Sequence, residues 1–198
     1  MTNAAVLSPR EVAELSGAPS RAIEKAIEER ILQVHRRPSR GATRQARRML
    51  PAHAVAYAAV LMKLDLRLTA AQKKRLIGKL ARLPPNEIAT ARVELAPAVE
   101  LDVGRLVGDV MDRAERYRLN RDASITVDAA IMGGTPAIRG TRMTVYSVLG
   151  RIENGETVDD ILDDNPDLSR EAVEAAVTFA RTHPLMGRPG GRPWARAE

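Results

Sequence analysis

Along most of the chain apolar side chains recur three and four residues apart, the spacing of helices, and the breaks between these runs carry capping and turn residues. Leu7-Ser8-Pro9-Arg10-Glu11-Val12 combines a cap serine, a proline at the first helical position, a capping-box glutamate and an apolar pair able to staple. It predicts a helix that runs through Leu15 into the turn Ser16-Gly17-Ala18-Pro19. Ser20 is then expected to cap a second helix, with Ile23, Ala26, Ile27 and Ile31 on its inner face. From Ile31 to Arg48 the pattern changes to two short strands around a Pro/Ser/Gly loop, a wing. An alanine-rich helix follows over Pro51 to Leu64. Thr69-Ala70-Ala71-Gln72 opens another to about Leu83, with Lys73, Lys74, Lys79 and Arg82 outside, and Pro84-Pro85 ends it.

A domain boundary is expected there, between residues 84 and 90. Beyond it, Ala91 to Asp102 reads as a strand pair broken at Pro97. Val103 to about Arg121 reads as a helix with Leu106, Val110 and Ala114 on one side, and Ser124 to Val127 as a strand. All three are assigned to the second domain. Gly133, Gly134 and Gly140 permit reversals that lay short β segments together, and a hairpin so small needs cover. Three short helices supply it. Val145, Val148, Leu149 and Ile152 line the first, which stops at Asn154-Gly155; Thr157 and Asp160 open the second, bearing Val158, Ile161 and Leu162. Ser169 caps the third, whose Val173, Ala176, Val177 and Ala180 form a stripe running to His183-Pro184.

The fold class expected is therefore mainly α (α+β). It comprises a winged helix-turn-helix over 1–84, a small domain of a β-hairpin and three short helices over 90–184, and a basic tail over 185–198. With 198 residues the chain can bury a real core, and at 3% aromatic that core must be built from Ala, Val, Leu and Ile. No cysteine is present, which removes disulfide and thiolate chemistry and fits a reducing cytoplasm. The longest apolar run, Ala54 to Met62, is far below the ~20 residues that span a bilayer, so a soluble cytoplasmic protein is expected.

Charge changes the picture more. From Arg30 to Arg82 there are fourteen Lys or Arg against Asp65 alone, so this stretch carries +13 of a chain whose net charge is +6, and the remainder is acidic by 7. Such asymmetry points to a nucleic-acid surface joined to a partner-binding part. In a helix-turn-helix the second helix enters the major groove, which nominates Ser20, Arg21 and Lys25 there and Arg36, Arg37, Arg40, Arg44, Arg47 and Arg48 on the wing. Glu24 and Glu28 count against a close phosphate contact by that helix and suit base readout or a solvated face instead.

Other chemistry finds less support. The double glycine at 133 and 134 lacks the spacing of a phosphate loop, and His35, His53 and His183 are scattered with no ligand or triad pattern, so no catalytic site, metal or cofactor is expected. Asp159, Asp160, Asp163, Asp164 and Asp167 are dense enough to raise the question of a metal-dependent nuclease, but they lie opposite the apolar residues of their helix as a solvated face would. The last two helices could be read as a second helix-turn-helix. Their acidic face speaks instead for a dimer or partner role.

The wording of the C-terminal region is itself distinctive. GGTPAIRGTRMTV, GETVDDIL, NPDLSREAVEAA and THPLMGRP, in this order, resemble the domain-of-unknown-function family 433 over about the last seventy residues. The resemblance implies an antitoxin of a type II toxin-antitoxin module, of the VapB kind, that neutralises a PIN-like ribonuclease toxin encoded by a neighbouring gene and represses its own operon as a homodimer on operator DNA. It also implies a use for the tail: Arg188, Arg192 and Arg196 with Trp194 could occupy the acidic site of such a toxin. Residues 7 to 64 resemble the winged head of MerR-like and excisionase-like DNA binders. The alternative is a stand-alone transcriptional regulator with no toxin.

Overall fold

The computed structural model describes residues 6–37, 47–64 and 66–185, without the side chain of Arg37. It is mainly helical, with three small antiparallel strand pairs among the described residues. The compact units divide between Arg118 and Leu119, which puts the expected boundary at 84–90 inside the first unit.

The first unit opens with α1 (Pro9–Ser16), whose capping box closes as the sequence predicts: the Glu11 amide donates to Ser8 Oγ at 3.2 Å and the Ser8 amide to Glu11 Oε2 at 2.6 Å. Gly17, at φ +70°, supplies the left-handed stop. Helix α2 (Ser20–Glu28) begins differently from expectation. Pro19 occupies the cap position and Ser20 is the first helical residue, with no side-chain cap; proline already holds the extended backbone that a cap needs. Ile23 and Ala26 are buried, Ile27 is half-buried, and Ile31 is buried just beyond the helix end.

Strands β1 (His35–Arg37) and β2 (Arg47–Met49) pair antiparallel, and Leu50 extends the pair by a backbone bridge to Leu7 ahead of α1. Helix α3 (His53–Lys63) is buried at every position from His53 to Val60, the environment for which its alanine-rich composition is suited, and α1 and α4 (Ala70–Leu80) both pack on it. The second capping box also forms, between Thr69 and Gln72.

After the short α5 (Pro85–Ile88), strands β3 (Arg92–Ala96) and β4 (Val99–Asp102) form a hairpin that turns through Ala98 at φ +61°. This pair, assigned by the sequence to the second domain, packs on α4, where Arg75 donates to the Leu95 carbonyl at 3.2 Å. Its buried Val93 and Leu95 explain the correction: the alternating face needed the apolar side of α4 to cover it. Helix α6 (Val103–Ser124) starts under the same influence, because Gly104 lies so close to α5's end that a Cβ would meet the Ala89 carbonyl oxygen at 2.3 Å. Its buried face is Val103, Val107, Val110, Met111, Ala114 and Tyr117, with the expected Leu106 only half-buried.

The second unit contains β5 (Ile125–Thr126) paired antiparallel with β6 (Ala137–Ile138), and Ala137 is bridged in turn to Thr144. A short 3-10 turn, Met132–Gly134, reverses the chain between them, with Gly133 at φ +64° and Gly134 at φ +82°. Helices α7 (Val145–Glu153), α8 (Val158–Asp164) and α9 (Arg170–Thr182) carry the expected caps Thr144, Thr157 and Ser169. One core joins them, with Ile125, Ile138, Val148, Ile161, Val173 and Ala176 at its centre.

Candidate nucleic-acid interface

The nominated residues are positioned by α2 and the β1–β2 pair. On α2, Arg21, Lys25 and Glu28 are exposed and Glu24 is half-exposed, a single stripe opposite the buried Ile23 and Ala26. Ser20 is exposed at the start of the same helix.

Strand register brings arginines face to face: Arg36 lies opposite Arg48 and Arg37 opposite Arg47. Like charges directly across a strand pair destabilise it, so the pairing is held against this repulsion by the Leu7–Leu50 bridge behind it and by one compensating acid. That acid is Glu24. Arg48 donates to Glu24 Oε2 at 2.6 Å, with both side chains 44% exposed, and ties the base of the hairpin to α2.

The sequence counted Glu24 against a close phosphate contact and left it to base readout or a solvated face. In the fold it consumes Arg48 and leaves Arg36 and Arg47 exposed. Lys25 lies 3.8 Å from Glu29 in an exposed i,i+4 pair, too weak at the surface to withdraw it from a ligand. Of the other nominated residues, Arg40, Arg44, Arg188, Arg192, Trp194 and Arg196 lie outside the described residues.

What sequence reasoning missed is the support behind this face. Glu11 is 1% exposed, and besides its cap bond it accepts a hydrogen bond from the Tyr117 hydroxyl of α6 at 2.7 Å. Helix α1 is thereby fixed to α6 across more than a hundred residues of sequence, which no local pattern could reveal. At the other end of α3, Lys63 donates to Asp109 of α6 at 2.9 Å, and this bond lowers the carboxyl's pKa. His53, at the start of α3, is buried; desolvation first and the nearby His35 second hold its pKa down at about 4.

In the second unit, three of the five aspartates weighed as metal ligands meet other partners. Asp159 accepts from Arg170, Asp164 from Arg151 at 2.5 Å, and Asp160 from the Thr157 amide at 2.7 Å, a cap bond that also lowers its pKa. Among the described residues no group of three or more His, Asp or Glu is placed to hold a metal ion. Arg151 also donates to Glu156 at 2.5 Å, and that bond and the contact with Asp164 stabilise its charged form.

The molecule is thus a mainly helical α+β chain with an arginine-faced helix-and-hairpin surface in its first unit. A family match falls in the second unit. A family model described as Protein of unknown function (DUF433) matches residues 125–180, from β5 through most of α9. An uncharacterized protein, y4eO, of Sinorhizobium fredii is 39% identical over 64 residues, which are 32% of this chain and 29% of that protein. The chain therefore covers less than a third of that relative's length. No solved structure matches. Among the described residues no helix is long and apolar enough to cross a membrane.

Proposed function

We propose that this protein is a DNA-binding antitoxin of the cytoplasm: the first unit a winged helix-turn-helix of MerR-like type that represses its own operon, the second unit and the tail the part that holds a PIN-like ribonuclease toxin. The observation that carries the DNA-binding half is the arginine ladder of β1 and β2 beside α2. An arrangement that places like charges opposite one another loses stability on its own account and recovers it when phosphates neutralise them. Ser20, Arg21 and Lys25 on α2 then reach base edges, Arg36, Arg37, Arg40, Arg44 and Arg47 take phosphates, and Arg48 orients the wing through Glu24. The toxin-holding half rests on the wording of residues 131–184, and a two-fold operator would be read by a homodimer.

The test is bacterial growth with the neighbouring gene induced alone, then with this chain intact, then with the chain truncated after Pro184. Arrest relieved by the intact chain supports the antitoxin, and loss of relief on truncation gives Arg188, Arg192, Trp194 and Arg196 their role. If the neighbour does not arrest growth, or the chain does not relieve arrest, the toxin-holding half is refuted; operator binding that persists then favours a stand-alone regulator.

A further inference from the structure

Helix α4 turns Lys74, Arg75 and Lys79 to solvent, and Arg82 follows on the next turn, while Leu76 and Leu80 are buried on the other side. No acid occurs in the sequence between Leu66 and Asn86. Several other cations of this unit do meet carboxylates: Lys25 with Glu29, Arg48 with Glu24, Lys63 with Asp109, and Arg92 with Glu100 and Asp102. Among the described residues no carboxylate lies within ion-pair distance of Lys74, Lys79 or Arg82, and the hydrogen bond Arg75 donates goes to the neutral Leu95 carbonyl.

Helix stability does not account for this. Arg75 and Lys79 are like charges one turn apart, and Lys73 and Lys74 sit toward the positive end of the helix dipole, where cations are disfavoured. Gly78 lies between Lys74 and Arg82 on the same line of the helix surface, and a Cβ there would find nothing within 4 Å. A glycine in mid-helix weakens the helix, and on an open face it also lets another backbone come close.

We propose that this face of α4 is a second nucleic-acid contact, a sequence-independent seat for the phosphodiester backbone beside Gly78, outside the α2 and hairpin face. It rests on the DNA-binding reading above. A polyanion relieves the repulsion along the helix and releases condensed counterions for each phosphate neutralised. An anionic membrane fits less well, because the exposed positions of α4 are Ala70, Ala71, Lys74, Arg75, Gly78 and Lys79, with no bulky apolar side chain to enter the headgroup layer.

The experiment measures binding of the full chain to 30-base-pair duplexes of two unrelated sequences over a range of salt concentrations. The intact chain is compared with three variants: Lys74→Gln/Lys79→Gln/Arg82→Gln; the charge-conserving Lys74→Arg/Lys79→Arg/Arg82→Lys; and Arg36→Gln/Arg47→Gln on the wing. Loss of the three α4 charges should weaken binding to both duplexes by the same factor and flatten the slope of log K against log salt by about 2 to 3, at ~0.9 per phosphate. The charge-conserving variant should bind as the intact chain does. An unchanged slope in the glutamine variant, with the wing variant impaired, overturns the α4 contact and leaves the DNA-binding reading standing. Absence of duplex binding by the intact chain overturns both, and α4-dependent binding to phosphatidylserine vesicles in that case assigns the face to lipid.

Discussion

Protonation of His53 should loosen the first unit in mild acid. The imidazole is buried at the start of α3, the helix on which α1 and α4 pack, and its pKa lies at about 4 instead of the ordinary 6.5. The unfolded chain therefore binds this proton more readily than the folded one, so the stability held above pH 6.5 is lost as pH falls toward 4. The full span is worth about 3 kcal/mol, and about 2 kcal/mol is already gone at pH 5. Because domains are stable by only ~5–15 kcal/mol, that loss is readable. The assay is urea unfolding at pH 7 and pH 5, followed by hydrogen exchange of amides in residues 47–64 so that the first unit alone is observed. His53→Gln, neutral at both values, should lose far less than the unmodified chain. Equal losses in the two proteins would refute the assignment and place the titrating group elsewhere.

The buried bond between Tyr117 and Glu11 can be removed with little change in shape by Tyr117→Phe, which should cost about 1–3 kcal/mol of first-unit stability in chemical denaturation, since the carboxylate loses a donor inside the core. Two glycines should behave oppositely: Gly104→Ala drives a methyl into the Ala89 carbonyl and should destabilise by about 1–3 kcal/mol, whereas Gly78→Ala meets open space and should stabilise by about 0.5–1 kcal/mol, both read by thermal melting. A double-mutant cycle on Glu24→Gln and Arg48→Gln should return a coupling of only about 0.2–1 kcal/mol, because the pair is exposed; a coupling near zero would mean that Glu24 does not anchor the hairpin.

Where the sequence was informative, the cause was local. Two capping boxes, at Ser8 and Thr69, formed because their partners lie three residues away, and the three caps of the second unit formed for the same reason. Gly155, at φ +97° after α7, is another signal of this kind: one residue's backbone freedom decides where a helix stops. The arginines of the hairpin could be nominated from composition. Their facing register could not, because it depends on how two strands apart in sequence align.

Tertiary structure decided the rest, through contacts between elements distant in sequence. The strand pair at 92–102 reads the same whether it covers α4 or the second unit; its packing on α4, and the bonds of α6 to Glu11 and Lys63, put the pair and most of α6 in the first unit, which runs to Arg118. Glu11 reads locally as a helix cap; Tyr117, brought to it by the path of α6, makes it a buried strut. Glu24 reads as an acid suited to base readout or a solvated face, and the return of β2 alongside α2 makes it the partner of Arg48. In each case the residue type set which bonds were available, and the chain's three-dimensional course chose among them.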